Sequence, residues 1–192
     1  PLYGYVAEGY WQDIGNLDQF RQANFGPLDQ PVALELGGIK LRGNVWVREG
    51  VELPDLESVE GPAFIGNYCR IAPQASVGPY SVLSPSVTLR EHARTTRSVI
   101  DSSTYVGRSA LVEGAIVGKS CDIRPHARLH EGVAVGDNCK IGEESVVMPG
   151  VRIYPFKEVE SGSLVDQNLI WESRFSSRLI GLDGVSGRLD VD

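Results

Sequence analysis

From residue 117 to residue 159 an aliphatic side chain returns at every sixth position: Val117, Ile123, Leu129, Val135, Ile141, Val147, Ile153 and Val159. An amphipathic helix repeats near 3.6 residues and a half-buried strand at 2, so neither element alone produces this spacing. The chain must turn once per hexad. A second run follows the same rule in a shifted register, with Val59, Ile65, Ile71, Val77, Leu83 and Leu89 in first place. In both runs Gly often stands second, as Gly66 and Gly136 do. A small or β-branched residue stands fifth, as with Cys69, Ala75, Cys121 and Cys139.

This rule resembles the hexapeptide repeat of left-handed parallel β-helices. The resemblance implies an all-β fold in which three short strands make a triangular coil of about 18 residues, with the first-position aliphatics inward and small fifth residues at the corners. The handedness comes from the resemblance alone, because it runs against the usual right-handed crossover. The second-position Gly is expected to supply the backbone conformation of the corner, and Pro, as in Ile71-Ala72-Pro73, to remove donors the ladder does not need. One coil cannot bury its apolar edge alone. Stacking is obligatory, and each inward Val, Ile or Leu contributes roughly 1.5–3 kcal/mol.

Departures from the period mark further organisation. Ile39, Val45 and Val51 lie six apart and predict an imperfect first coil, separated from the next run by a two-residue slip near "LPDLES". The stretch "TTRSVIDSSTYVG" interrupts the pattern before Val106 and Val112, and a one-residue slip restores it at Val117. Such slips are expected to emerge as bulges or loops on one edge. The period fades after Val165. Ahead of the hexads, "YGYVAEGYW" predicts a strand and "NLDQFRQAN" a short helix, with Asn16 as N-cap, Gln19 three residues later, and Leu17, Phe20 and Ala23 on one face.

The 192 residues are 42% hydrophobic, enough for one sizeable core, and the net charge of -7 argues against a nucleic-acid partner. No apolar run approaches the roughly 18 residues of a membrane span, and no basic, apolar leader opens the chain, so a cytoplasmic protein without a membrane partner is expected. The three cysteines, Cys69, Cys121 and Cys139, all fall on fifth positions and form no CxxC pair, so they are expected to be buried, reduced spacers. Arg124, His126, Arg128 and His130 alternate along "IRPHARLHEG". They read either as solvated outer-face residues or as a basic edge that meets an anion or a neighbouring subunit. The chain opens on Pro1 and closes on "GRLDVD", which suggests a segment of a longer polypeptide.

The flanks are more specific than the repeat. "GYWQDIGNLDQFRQAN", with Trp11, Asp13, Gly15 and Phe20, is similar to the closing strand–helix of sugar-nucleotidyltransferase domains. "VRIYPFKEVESGSLVDQNLIWESR" resembles the last coils of bacterial mannose-1-phosphate guanylyltransferases. "RLIGLDGVSGRLDVD" resembles the start of phosphohexomutases, departing from their pattern at Leu182 and Ser186. The resemblance implies three regions: residues 1–30 as the tail of a nucleotidyltransferase domain, 31–171 as the left-handed β-helix, and 172–192 as a linker entering a mutase-like domain. It implies an intact enzyme that joins GTP to mannose 1-phosphate, giving GDP-mannose and pyrophosphate, with Mg²⁺ offsetting the charge that develops. Asp13 occupies the family's acidic position and is expected either to ligate that Mg²⁺ or to cap the turn before the helix.

No GxGxxG or Walker-like loop occurs in the chain, so no catalytic residue is expected within this segment. The helix is instead expected to cover one end of an assembly module that forms a homo-oligomer and holds its own nucleotidyltransferase and mutase-like domains. Two rival classes are a hexapeptide acyltransferase, with His92, His126 or His130 as general base, and a regulatory β-helix without activity.

Overall fold

The computed structural model describes residues 3–6, 11–29, 36–171 and 174–175. The mutase-like stretch lies outside the described residues, as does the middle of the expected opening strand. The described part of that strand, residues 3–6 and Trp11, carries no strand pairing.

The hexads become strands of two or three residues, each followed by a turn. Parallel pairing sets Ile123 beside Ile141 and Ile141 beside Val159, while Leu129 pairs with Val147 and Val135 with Ile153. Every third strand therefore lies in one sheet, and the chain winds into a left-handed parallel β-helix of about seven coils. Its first, second and third faces carry 8, 7 and 6 strands. The first-position aliphatics fill the interior, with Ile65, Leu83, Leu89, Ile100, Ile123, Leu129 and Ile141 fully buried.

Fifth positions also point inward. Cys139 and Ile141 are both buried and flank the exposed, outward Lys140, as strand alternation requires. This doubling corrects the first coil. Val47 pairs with Ile65, and Glu52 bridges to Arg70 so that Leu53 falls in line with Ile71. The inward series is thus Val47, Leu53, Val59, Ile65, with no slip at "LPDLES". Val45 and Val51 are fifth-position residues, and Ile39 is exposed on a strand, Ile39–Leu41, that runs antiparallel to Val45–Val47.

The expected interruption around "TTRSVIDSS" is also not a loop. Ile100 and Val106 are buried in line, and the coil simply loses one residue at the same corner twice, at Thr96-Arg97-Ser98 and at Glu113-Gly114-Ala115. Ser98 and Ala115 take the buried corner place, 17 residues apart, joined where the Ala115 amide donates to the Ser98 hydroxyl.

The corners assign different work to Gly than the sequence suggests. Outside the two shortened corners, the left-handed residue of a turn is the fourth of its hexad and is usually not Gly: Tyr80, His92, Ser109, His126, Asn138, Glu144 and Phe156 all have φ between 55 and 62. The second-position Gly serves close approach between coils. A Cβ on Gly107 would lie 2.7 Å from the backbone nitrogen of Pro125 in the next coil.

Candidate functional site

The helix α1, Leu17–Asp29, starts as its sequence predicts. Asn16 Oδ1 accepts from the Gln19 amide at 2.9 Å, and Gln19 Oε1 accepts from the Gly15 amide at 2.7 Å, a reciprocal cap displaced by one residue from the usual box. It runs further than expected and takes Pro27 into its final turn, where the missing amide hastens its end.

α1 does not cover an end of the solenoid. It lies along the first face, on an outward ladder of apolar residues, Trp46, Phe64, Val82, Val99 and Ile116, that strand pairing aligns coil by coil. Leu28 is buried with Val82 and Val99, and Phe25 and Leu36 pack around them. Leu17, Phe20 and Asn24 line a groove with Val99, Ile116 and Val135 further along the same face. At 1.5 Å per residue the 13-residue helix is about 20 Å long, matching about four strand spacings.

Polar anchors fix its position. Arg21 donates to the Gly114 carbonyl at 2.8 Å and to Glu131 at 2.6 Å, while Glu131 also receives Arg97 at 2.8 Å. The shortened corner therefore meets the helix: Arg97 and Gly114 are its left-handed residues. Tyr80 meets the Phe25 ring at a tilt and donates to Asp29 at 2.8 Å, which raises the Tyr80 phenol above its usual value.

Asp13 sits exposed in the irregular segment ahead of α1. Among the described residues no three His, Cys, Asp or Glu side chains converge to hold a metal. A single exposed carboxylate supplies one ligand to an ion that takes six oxygens, so the described residues do not by themselves fit Mg²⁺.

The expected basic edge is divided by the coil. Arg124 pairs with Asp122 at 2.8 Å. His126 holds a left-handed corner, Arg128 points outward from the third face, and His130 is half-buried where that face ends. Arg128 instead comes together with His92 of the expected general bases, and with Arg94 and Ser109, which sequence reasoning did not single out. The available signal was their phase: Arg94 and Arg128 occupy equivalent outward positions on either side of Leu111.

All three cysteines are free and buried. Burial pushes the Cys69 thiol up to about 11, against partial relief from backbone amides such as that of Val87. Cys121 is pushed up first by its hydrogen bond with the Cys139 thiol and then by burial. Cys69 Sγ lies 3.1 Å from the Ser84 carbonyl, Cys121 Sγ 3.1 Å from that of Gly136 and Cys139 Sγ 3.1 Å from that of Tyr154, so each thiol has an acceptor on the next coil within reach.

Residues 59–170 match the family described as the GMPPB C-terminal domain. The chain is 27% identical over 199 aligned positions to the bifunctional protein GlmU of Methanococcus vannielii, covering 90% of this chain and 48% of that protein. It is 26% identical to the glucose-1-phosphate adenylyltransferase of Desulfitobacterium hafniense, over 74% of this chain and 32% of that enzyme. The chain spans about half the length, or less, of these curated relatives. Among solved structures, PerB from Caulobacter crescentus, in complex with CoA and GDP-perosamine, superposes with a TM-score of 0.53 at 27% identity, covering 62% of this chain and 57% of PerB.

Proposed function

The chain belongs to the GMPPB C-terminal domain family, and from that membership we propose that it is the assembly β-helix of a sugar-1-phosphate nucleotidyltransferase of the mannose-1-phosphate guanylyltransferase type. The observation that carries the proposal is the seating of α1. The segment "GYWQDIGNLDQFRQAN", which resembles the close of a nucleotidyltransferase domain, ends in a helix tied by Arg21 to Gly114 and Glu131 and by Asp29 to Tyr80. A domain preceding that helix would be held beside the first face rather than above an end of the coil.

In the intact enzyme, an oxygen of mannose 1-phosphate would attack the α-phosphorus of GTP and pyrophosphate would leave. Asp13 is proposed as one ligand of the Mg²⁺ that such a reaction uses, with the remaining ligands supplied from outside the described residues. The β-helix contributes position and assembly as a homo-oligomer, and a mutase-like domain would follow it. Pyrophosphate release by the full-length protein given GTP and mannose 1-phosphate tests the reading. Activity with another nucleotide and hexose phosphate pair would retain the class and replace the substrate, and no activity with any pair would overturn it.

A second reading, sugar acyl transfer, is favoured by the likeness to PerB and by His92 standing exposed at a corner beside a groove. Acetylation of an amino sugar nucleotide by acetyl-CoA, lost in His92→Ala, would select it.

A further inference from the structure

The third face carries two neighbouring cations that form no ion pair among the described residues. Pairing in register places Arg94, Leu111 and Arg128 in one outward column, on three successive coils. Strands lie about 4.8 Å apart, so the two arginine backbones stand about 10 Å apart with Leu111 between them. Both side chains are exposed, and the two guanidinium groups can lean toward each other over the leucine.

Several cations of the coil are engaged, Arg70 by Glu52, Arg90 by Glu91, Arg97 by Glu131, Arg124 by Asp122 and Lys140 by Glu158, whereas others such as Arg108 and Arg152 stand singly without an ion pair among the described residues. Neither Arg94 nor Arg128 has a carboxylate partner among the described residues, in a chain whose net charge is -7 and which therefore has carboxylates to spare. They line a groove of about 500 Å³ completed by His92, Ser109, Ala110 and Leu111, with no acidic residue in its wall. Ser109 is half-buried there and adds a hydroxyl donor, and the nearest acid in sequence, Glu91, is occupied by Arg90.

We propose that this groove binds a diphosphate group, free or esterified. A guanidinium presents paired N–H donors that match two oxygens of one phosphoryl group. Two such forks separated by the width of two strand spacings suit an anion with phosphoryl oxygens at both ends better than a single carboxylate. The apolar Leu111 floor lowers the local dielectric and strengthens both contacts. The site lies away from the first face, where α1 is seated, so it stands independently of where a catalytic domain is held.

Titration of the 192-residue chain with inorganic pyrophosphate at constant ionic strength, followed calorimetrically and by the imidazole NMR signals, tests the proposal. The expected result is one saturable site, a shift of the His92 signal, and binding at least tenfold weaker in Arg94→Gln and in Arg128→Gln, with circular dichroism unchanged. Arg152→Gln, on the outward first face, serves as control and should bind as the parent does. Absence of saturation, equal affinity in the Arg94→Gln/Arg128→Gln double variant, or equal weakening by Arg152→Gln would overturn it. So would a parent oligomer that binds no pyrophosphate and dissociates in the double variant, since the groove would then be a protein contact.

Discussion

Arg21 and Glu131 stand 110 positions apart in sequence and meet at 2.6 Å, joining the one described α-helix to a corner of the β-helix. The contact is partly shielded, and the same guanidinium also serves the Gly114 carbonyl. Arg21→Ala should cost about 1–2 kcal/mol, less than a fully buried charged hydrogen bond because Glu131 remains half-exposed. Hydrogen exchange should show α1 amides losing protection while amides of the second face keep theirs. Equal loss on both would mean that the helix is not separately anchored.

The interior tolerates no charge. Ile141 is fully buried between Ile123 and Val159. Ile141→Ala should destabilise by about 2–5 kcal/mol, and Ile141→Asp should leave no cooperative melt. A folded Ile141→Asp protein with the parental midpoint would contradict the register.

Glycine should matter at second positions and be dispensable at fourth ones. Gly107→Ala drives a methyl against the Pro125 backbone and should cost about 1–3 kcal/mol. Glu144 is exposed at φ 57, so Glu144→Gly relieves left-handed strain and should change the unfolding free energy by no more than about 1 kcal/mol, in either direction. Urea denaturation of the two variants would reveal a reversed order if the corner assignment were wrong.

The Cys69 thiol gives a signed pH dependence. Its folded value of about 11 lies above the ordinary thiol value of 9.0, so the folded state keeps a proton that the unfolded chain has already lost. Its contribution to stability is complete below pH 9 and is lost as pH rises toward 11. Cys69→Ala should flatten the alkaline decline in melting temperature across that window. Maleimide labelling of native Cys69, Cys121 and Cys139 should be slow at neutral pH, because all three are buried whatever their ionisation.

Asp13 separates fold from chemistry. It is exposed, so Asp13→Ala should move the stability of this chain by less than about 0.5 kcal/mol. On the proposed reading, the same change should sharply reduce pyrophosphate release by the full-length protein. Undiminished release would remove Asp13 from the metal's ligands.

The coil was legible because buried aliphatics at six-residue intervals leave few other geometries, and the cysteines were legible because the inward fifth position favours small or β-branched side chains. The first coil was misphased for a related reason: positions one and five both face inward, so Val45 and Val51 look like the core series that actually runs through Val47 and Leu53. The seat of α1 was written in Trp46, Phe64, Val82, Val99 and Ile116, but their shared face appears only once coils of 18 and 17 residues are stacked. The alignment of Arg94 and Arg128 on either side of Leu111 was hidden in the same way. Local pattern identifies which residues turn inward, whereas outward neighbours depend on the accumulated length of every coil between them.

A coil that touches only the coils above and below it ordinarily melts like a stack of coins, from either exposed end. The helix seated across Trp46 to Ile116 changes this, because those coils cannot separate from one another without also releasing α1. The lower part of the solenoid is splinted into a single unit, while among the described residues the coils beyond Val135 keep only their own stacking. Among the described coils, opening should therefore begin on the side away from α1 and travel toward Arg21, making the helix the point at which gradual fraying gives way to all-or-none collapse.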